Sequence, residues 1–167
     1  LRKNHRSTKF RIFVSFSPAP HLRGNFVWNF MKLLGIDFGT KRIGLALGDT
    51  ATRLALPFKT IINNAEVLEN LKKIVETDLV ETFVVGRPIS LSGGDSGEVL
   101  DLVKDFSAKL KQKIDLPILF EDERLSSDMA DSLMKLYGEK TDRDAVAAMI
   151  ILQSYLDRTE SDYKLDN

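Results

Sequence analysis

The run Lys32-Leu33-Leu34-Gly35-Ile36-Asp37-Phe38-Gly39-Thr40-Lys41-Arg42-Ile43-Gly44 decides how this chain is read. Lys32–Asp37 has the apolar density of a buried strand. Phe38-Gly39-Thr40-Lys41 reads as a turn, and Arg42–Gly48 as a second strand. Gly39 permits a tight turn and close approach of a ligand to the backbone. Thr40, Lys41 and Arg42 bring donors suited to phosphate oxygens. The same pattern also fits a plain β-hairpin with glycine in its turn.

Outward from this run, Leu54–Ile62 reads as a third strand, and Pro57 inside it predicts an edge or a bulge. The spacing suits an antiparallel meander. Asn63 with Glu66 three residues later resembles a helix start, and the helix runs to about Thr77 with Val67, Leu71 and Ile74 on one face. Val80–Gly86 is a short apolar strand. Arg87–Gly97 is a Gly- and Ser-rich loop, expected to be mobile and substrate-facing. Glu98–Ile114 is a helix with the stripe Val99, Val103, Phe106 and Leu110. Pro117–Phe120 is a fifth strand, and helices follow at about Ser126–Leu136 and Asp142–Leu156. The order predicts an α/β fold, a mixed five-stranded sheet flanked by helices in a single domain.

The chain of 167 residues is 43% hydrophobic and 29% charged, ordinary for a globular protein. It has no cysteine, which excludes disulfide scaffolds, thiolate metal sites and cysteine nucleophiles. Its longest apolar run, Ala145–Leu152, is too short to span a bilayer; the expected location is cytoplasmic, with no membrane partner. The neutral total hides an asymmetry: residues 1–30 hold six basic residues and no acid, leaving 18 basic against 24 acidic residues in 31–167. Both histidines, His5 and His21, also lie in 1–30. Pro18 and Pro20 break that stretch and no apolar period persists, so 1–30 is expected to be an unstructured N-terminal extension. It reads as upstream sequence ahead of a natural start at Met31, or as an Arg- and Ser-rich, acid-free transit peptide. The folded domain is expected over 31–158, and 159–167 is expected to be a frayed polar tail.

Without His or Cys in 31–167, any acid, base or metal ligand there comes mainly from Asp and Glu, which favours Mg²⁺ or Mn²⁺ over zinc. Three acids stand where apolar elements end or begin: Asp37, Glu123 and Asp144. Asp144 heads the helical stripe Ala148, Ile151, Tyr155, and a buried carboxylate needs a partner. Each also has a plain structural reading. Asp37 can cap its turn, and Glu123 with Arg124 can be a solvated charge run. Thr141-Asp142-Arg143-Asp144 fits a capping box. Asp142 is the alternative ligand if the helix is rotated.

Four motifs, in order, resemble the YqgF family, also called RuvX, of RuvC-like resolvases: Gly35–Gly44; Val84-Val85-Gly86-Arg87-Pro88 followed by Gly93-Gly94; Asp122-Glu123-Arg124-Leu125-Ser126-Ser127; and Asp144-Ala145-Val146-Ala147-Ala148 followed by Ile151-Leu152-Gln153. The match spans about Met31 to Leu156. The resemblance implies a ribonuclease-H-like fold and a metal-dependent nuclease acting in maturation of the 5′ end of pre-16S ribosomal RNA. It places Asp37, Glu123 and Asp144 on the family's catalytic, metal-holding acids. Ser126-Ser127 replace Thr-Thr, and Arg87 stands where the family has an apolar residue. The strand ending at Gly86 carries no carboxylate, unlike the RuvC resolvases.

The expected function is therefore hydrolysis of RNA phosphodiesters with Mg²⁺ or Mn²⁺ held by the three acids. Thr40, Lys41, Arg42, Arg87 and Arg124 are the expected substrate-binding residues. The expected partners are pre-ribosomal RNA and the pre-ribosomal particle. Three rivals stand beside it: a resolvase of branched DNA, a nucleotide-binding domain of the actin-like kind, and an RNA-binding assembly factor that does not cut. The excess of acid in 31–167 opposes broad nonspecific nucleic-acid binding.

Overall fold

Leu33, Leu34 and Ile36 are fully buried on alternate sides of one strand, which requires cover on both faces of the sheet. A computed structural model, describing residues 30–88, 96–123 and 142–165, supplies that cover. The side chains of Ser96, Glu123 and residues 159–165 are outside the description. Strands β1 (Lys32–Phe38), β2 (Arg42–Asp49), β3 (Ala55–Ile62), β4 (Thr82–Pro88) and β5 (Ile118–Glu123) form one sheet in the order β3-β2-β1-β4-β5. β1, β2 and β3 are an antiparallel meander, while β4 and β5 run parallel to β1 and β4. The helices are α1 (Val67–Asp78), α2 (Ser96–Lys113) and α3 (Arg143–Leu165). No described helix is long and apolar enough to cross a membrane.

The two faces sort by the two-residue period of the strands. Leu34, Ile36, Ile43, Leu45, Phe83 and Val85 pack beneath α1 and α2. Leu33, Ala46, Ala55 and Val84 pack beneath α3. Phe38 meets Phe106 of α2 with ring centroids 4.9 Å apart. Gln153 stitches α3 to the start of β3: its Oε1 accepts from the Ala55 N–H at 2.9 Å and its Nε2 donates to the Arg53 carbonyl at 3.1 Å. Before β3, the Thr52 and Ala51 N–H groups donate to the Asp49 carboxylate, and the Thr52 bond leads in holding it below the usual carboxylate range.

Several expectations shift. The edge or bulge expected at Pro57 is found, both at once: Leu45 faces Lys59 and Ala46 faces Pro57, so Phe58 has no opposite residue. β5 runs on from Phe120 to Glu123, because pairing with β4 overrides the weak strand preference of acids. α2 begins at Ser96, shortening the expected loop, of which 89–95 lie outside the described residues. Val99 is 40% exposed and does not join the stripe that Val103, Phe106 and Leu110 bury. α3 continues to Leu165, so the expected frayed tail is helical over most of its length. Asn63 does not start a helix; α1 begins at Val67. Residues 1–29 and the helix expected over 126–136 lie outside the described residues.

α1 ends on Leu79 in the left-handed conformation, φ 58°, with its side chain 68% exposed. An L side chain resists this conformation, whereas glycine adopts it freely. Leu79→Gly is expected to raise stability by about 1 kcal/mol, read as a higher midpoint in urea. An unchanged or lower midpoint would show that Leu79 contributes packing that offsets the strain.

Candidate active site

Asp37 is the penultimate residue of β1 and lies opposite Gly44 of β2. By strand period both belong to the α3 face. A Cβ built on Gly44 would stand 1.9 Å from the Asp144 carbonyl oxygen. The N-terminus of α3 therefore rests directly on the β2 backbone, a contact that only glycine allows. Gly35 and Gly48 lie under the same helix, facing Ala148 and Leu152. Asp37 and Asp144 thus come to one corner of the fold, on either side of Gly44.

The Asp144 carboxylate meets Arg42: Oδ2 lies 2.9 Å from the guanidinium Nε. The helix cap falls to a different acid. Asp142 Oδ1 accepts from the Asp144 N–H at 3.1 Å, and the Asp142 carbonyl accepts the first helical bond, from Val146. Asp142 is therefore the N-cap, Thr141 lies outside the described residues, and the side chain of Asp144 is directed to Arg42 instead.

The turn between β1 and β2 is held by its own backbone and by a residue read as a helix start. The Gly39 N–H donates to the Arg42 carbonyl at 3.0 Å. Asn63 Nδ2 donates to the Gly39 carbonyl at 2.8 Å, and the Asn63 N–H to the Lys41 carbonyl at 3.0 Å. These bonds fix a turn on which Thr40, Lys41 and Arg42 are all exposed. Nothing in local sequence marks Asn63 for this task, because its partners lie about 20 residues upstream.

Glu123 ends β5 with its backbone in register with Pro88; its side chain lies outside the described residues, as does all of Arg124. Asp37 and Glu123 both stand near the C-terminal ends of strands that run in parallel, where open α/β sheets hold ligands. Arg87 does not join Asp37 and Asp144. Its Nε donates to Asp122 Oδ1 at 2.9 Å, and by strand period this pair lies on the α1–α2 face. Among the described side chains no three acids gather into a metal-binding group. Glu121, one strand period before Glu123, is a buried carboxylate that its sequence neighbourhood did not mark: it is 6% exposed. Only the packing of α3 over β5 reveals it.

Residues 31–158 match a family model, RuvX, described as a Holliday junction resolvase. The chain belongs to the RuvX family. Its relatives include a protein of Rickettsia typhi, 40% identical over 131 residues, which span 74% of this chain and 83% of the relative. Another, from Maridesulfovibrio salexigens, is 40% identical over 135 residues, 77% of this chain and 99% of the relative. Both are named "Putative pre-16S rRNA nuclease". Among solved structures, Thermus thermophilus RuvC matches with a TM-score of 0.53 at 10% identity, over 78% of this chain and 97% of RuvC. RuvC of the same organism in complex with a Holliday junction substrate matches with a TM-score of 0.53 at 12% identity, over 78% of this chain and 96% of that chain. The RuvX chain thus has the ribonuclease-H-like fold of RuvC, as its sequence motifs implied.

Proposed function

We propose that this RuvX chain is a divalent-metal-dependent nuclease that hydrolyses RNA phosphodiesters and matures the 5′ end of pre-16S ribosomal RNA in the cytoplasm. The observation that supports the reading is that Asp37 pairs with Gly44 while the Asp144 backbone rests on Gly44, at the end of the sheet where the parallel strands finish. The names of the relatives supply the substrate class.

The donors suit a hard cation: they are carboxylate oxygens, and 31–167 has no His or Cys. Asp37, Glu123 and Asp144 would hold one or two Mg²⁺ or Mn²⁺ ions, and the chemistry such ions supply is activation of a water and stabilisation of the leaving oxygen. Arg42, exposed and already turned toward Asp144, can exchange that carboxylate for a phosphate of the substrate. Thr40 and Lys41 on the same fixed turn offer further donors, and Arg124 is assigned to a flanking phosphate; Arg87, paired with Asp122 on the other face, is not. Because acids outnumber bases in 31–167, binding is expected to depend on metal and on a local basic rim, or on the pre-ribosomal particle.

A second reading is resolution of branched DNA, favoured by the family description and by the likeness to RuvC. One paired assay separates the two: cleavage, with Mg²⁺ or Mn²⁺, of an RNA carrying the immature 16S 5′ end and of a four-way DNA junction. Preferential cutting of the RNA is the expected result. Cutting of the junction alone would replace the RNA reading, and no cutting of either by the metal-loaded protein would leave a binding role.

A further inference from the structure

Glu121 is a buried carboxylate that the proposed chemistry does not use. Its Oε1 accepts from the Ser154 hydroxyl of α3 at 3.0 Å. An Arg158 guanidinium nitrogen approaches Oε2 to 2.8 Å, out of line for a hydrogen bond, so charge holds that contact. The carboxylate side chain is 8% exposed and the arginine 56%. Tyr155 packs alongside, with Arg158 5.9 Å from its ring centroid; burial first, and Glu121 to a lesser degree, push its hydroxyl above the usual range.

A buried ion pair seldom adds net stability over apolar residues of similar size, so a charge at 121 calls for another account. Among the described residues β5 is an edge strand, paired with β4 alone. A slip of one residue would exchange its two faces and is strongly opposed. A slip of two residues keeps the faces, and alternation alone does not forbid it. It would carry the backbone of Glu123 along the strand by about 6.6 Å. It would also tear Glu121 from Ser154 and Arg158.

We propose that Glu121 is a positioning residue: through Ser154 and Arg158 it pins the register of β5 against α3, the helix that carries Asp144, and so sets where Glu123 stands relative to Asp144. The inference rests on the metal-dependent reading above, and its test reads metal binding apart from cleavage. Mn²⁺ binding to the full chain is measured by calorimetry for wild type, Glu121→Gln, Arg158→Gln and the double variant. RNA cleavage is followed as Mn²⁺ is titrated. Each single change is expected to weaken Mn²⁺ binding about tenfold or more, as for groups that orient ligands. The double variant is expected to be no worse than the weaker single, because both act through one contact. The rate at saturating Mn²⁺ is expected to stay within about twofold of wild type.

Arg158→Gln changes an exposed side chain, so it keeps the test valid if Glu121→Gln does not fold. Mn²⁺ affinity equal to wild type in the folded single variants, or losses that multiply in the double, would reduce Glu121 to a packing residue. A wild-type chain that binds Mn²⁺ but cuts no RNA would overturn the nuclease reading alone; one that binds no Mn²⁺ would overturn both.

Discussion

Asp37→Asn is expected to abolish cleavage while leaving the fold in place. If Asp37 holds metal, its loss removes several kcal/mol of transition-state stabilisation, a fall of about a thousandfold in rate. Asp37 is half-buried and asparagine has its size, so the melting temperature should stay within a few degrees. Asp144→Asn should behave alike. Asp142 caps α3, so a change at Asp144 leaves the cap intact. The check is cleavage per folded molecule, beside a thermal scan. Full specific activity in Asp37→Asn would remove the chemistry from this corner. A collapse in stability that accounts for the lost rate would make Asp37 a structural residue.

Gly44→Ala is expected to be the most damaging single methyl in the described structure. The added Cβ would meet backbone on backbone, 1.9 Å from the Asp144 oxygen and 2.3 Å from its carbonyl carbon. No rotamer relieves such a clash. The start of α3 must lift, or β2 must bend away, at a cost of about 3 kcal/mol and a melting temperature lower by roughly 10 °C. The lifted helix also carries Asp144 away from Asp37, so the folded fraction should lose activity too. Gly97→Ala is the control: nothing lies within 4 Å of a Cβ there, and within α2 alanine is the better helix former by roughly 1 kcal/mol. Equal stability in Gly44→Ala and wild type would mean that α3 does not rest on β2 as described.

What was legible in the sequence was what local pattern controls. The β1 turn, the edge position of Pro57 and the face Val67, Leu71, Ile74 of α1 follow from apolar period, glycine and proline placement. The apolar run Ala145–Leu152 after Asp144 announced a helix inside the fold. What was not legible depends on partners distant in the chain. Glu121 stands in the acidic stretch Glu121-Asp122-Glu123, where nothing local marks it as buried; α3 covers it. Asn63 had the residue type of a helix start, yet its amide serves the turn before β2. The capping-box pattern set Asp144 at its third position and left Asp142 as the alternative ligand, whereas hydrogen-bond geometry makes Asp142 the cap. Val99 kept the helical spacing but stays 40% exposed. At the candidate site, motif order suggested which acids to compare; the register of β1 with β2 and the glycine beneath α3 put Asp37 and the start of α3 next to the same residue, Gly44.

The irregular third strand has a consequence for how this chain behaves among copies of itself. β3 is outermost on its side of the sheet and exposes Leu56, Phe58 and Ile62, features that would ordinarily invite a stranger's backbone to add on. Three devices oppose that growth. Pro57 has no N–H to donate to an incoming chain. Phe58 breaks the even ladder and increases the local twist. Lys59, with its ammonium 4.6 Å from the Phe58 ring centroid, sets a charge beside the exposed aromatic. The margin is thus a poor template for amyloid-like stacking: it leaves apolar side chains in reach of a partner's surface while denying the continuous backbone pairing on which aggregation would propagate.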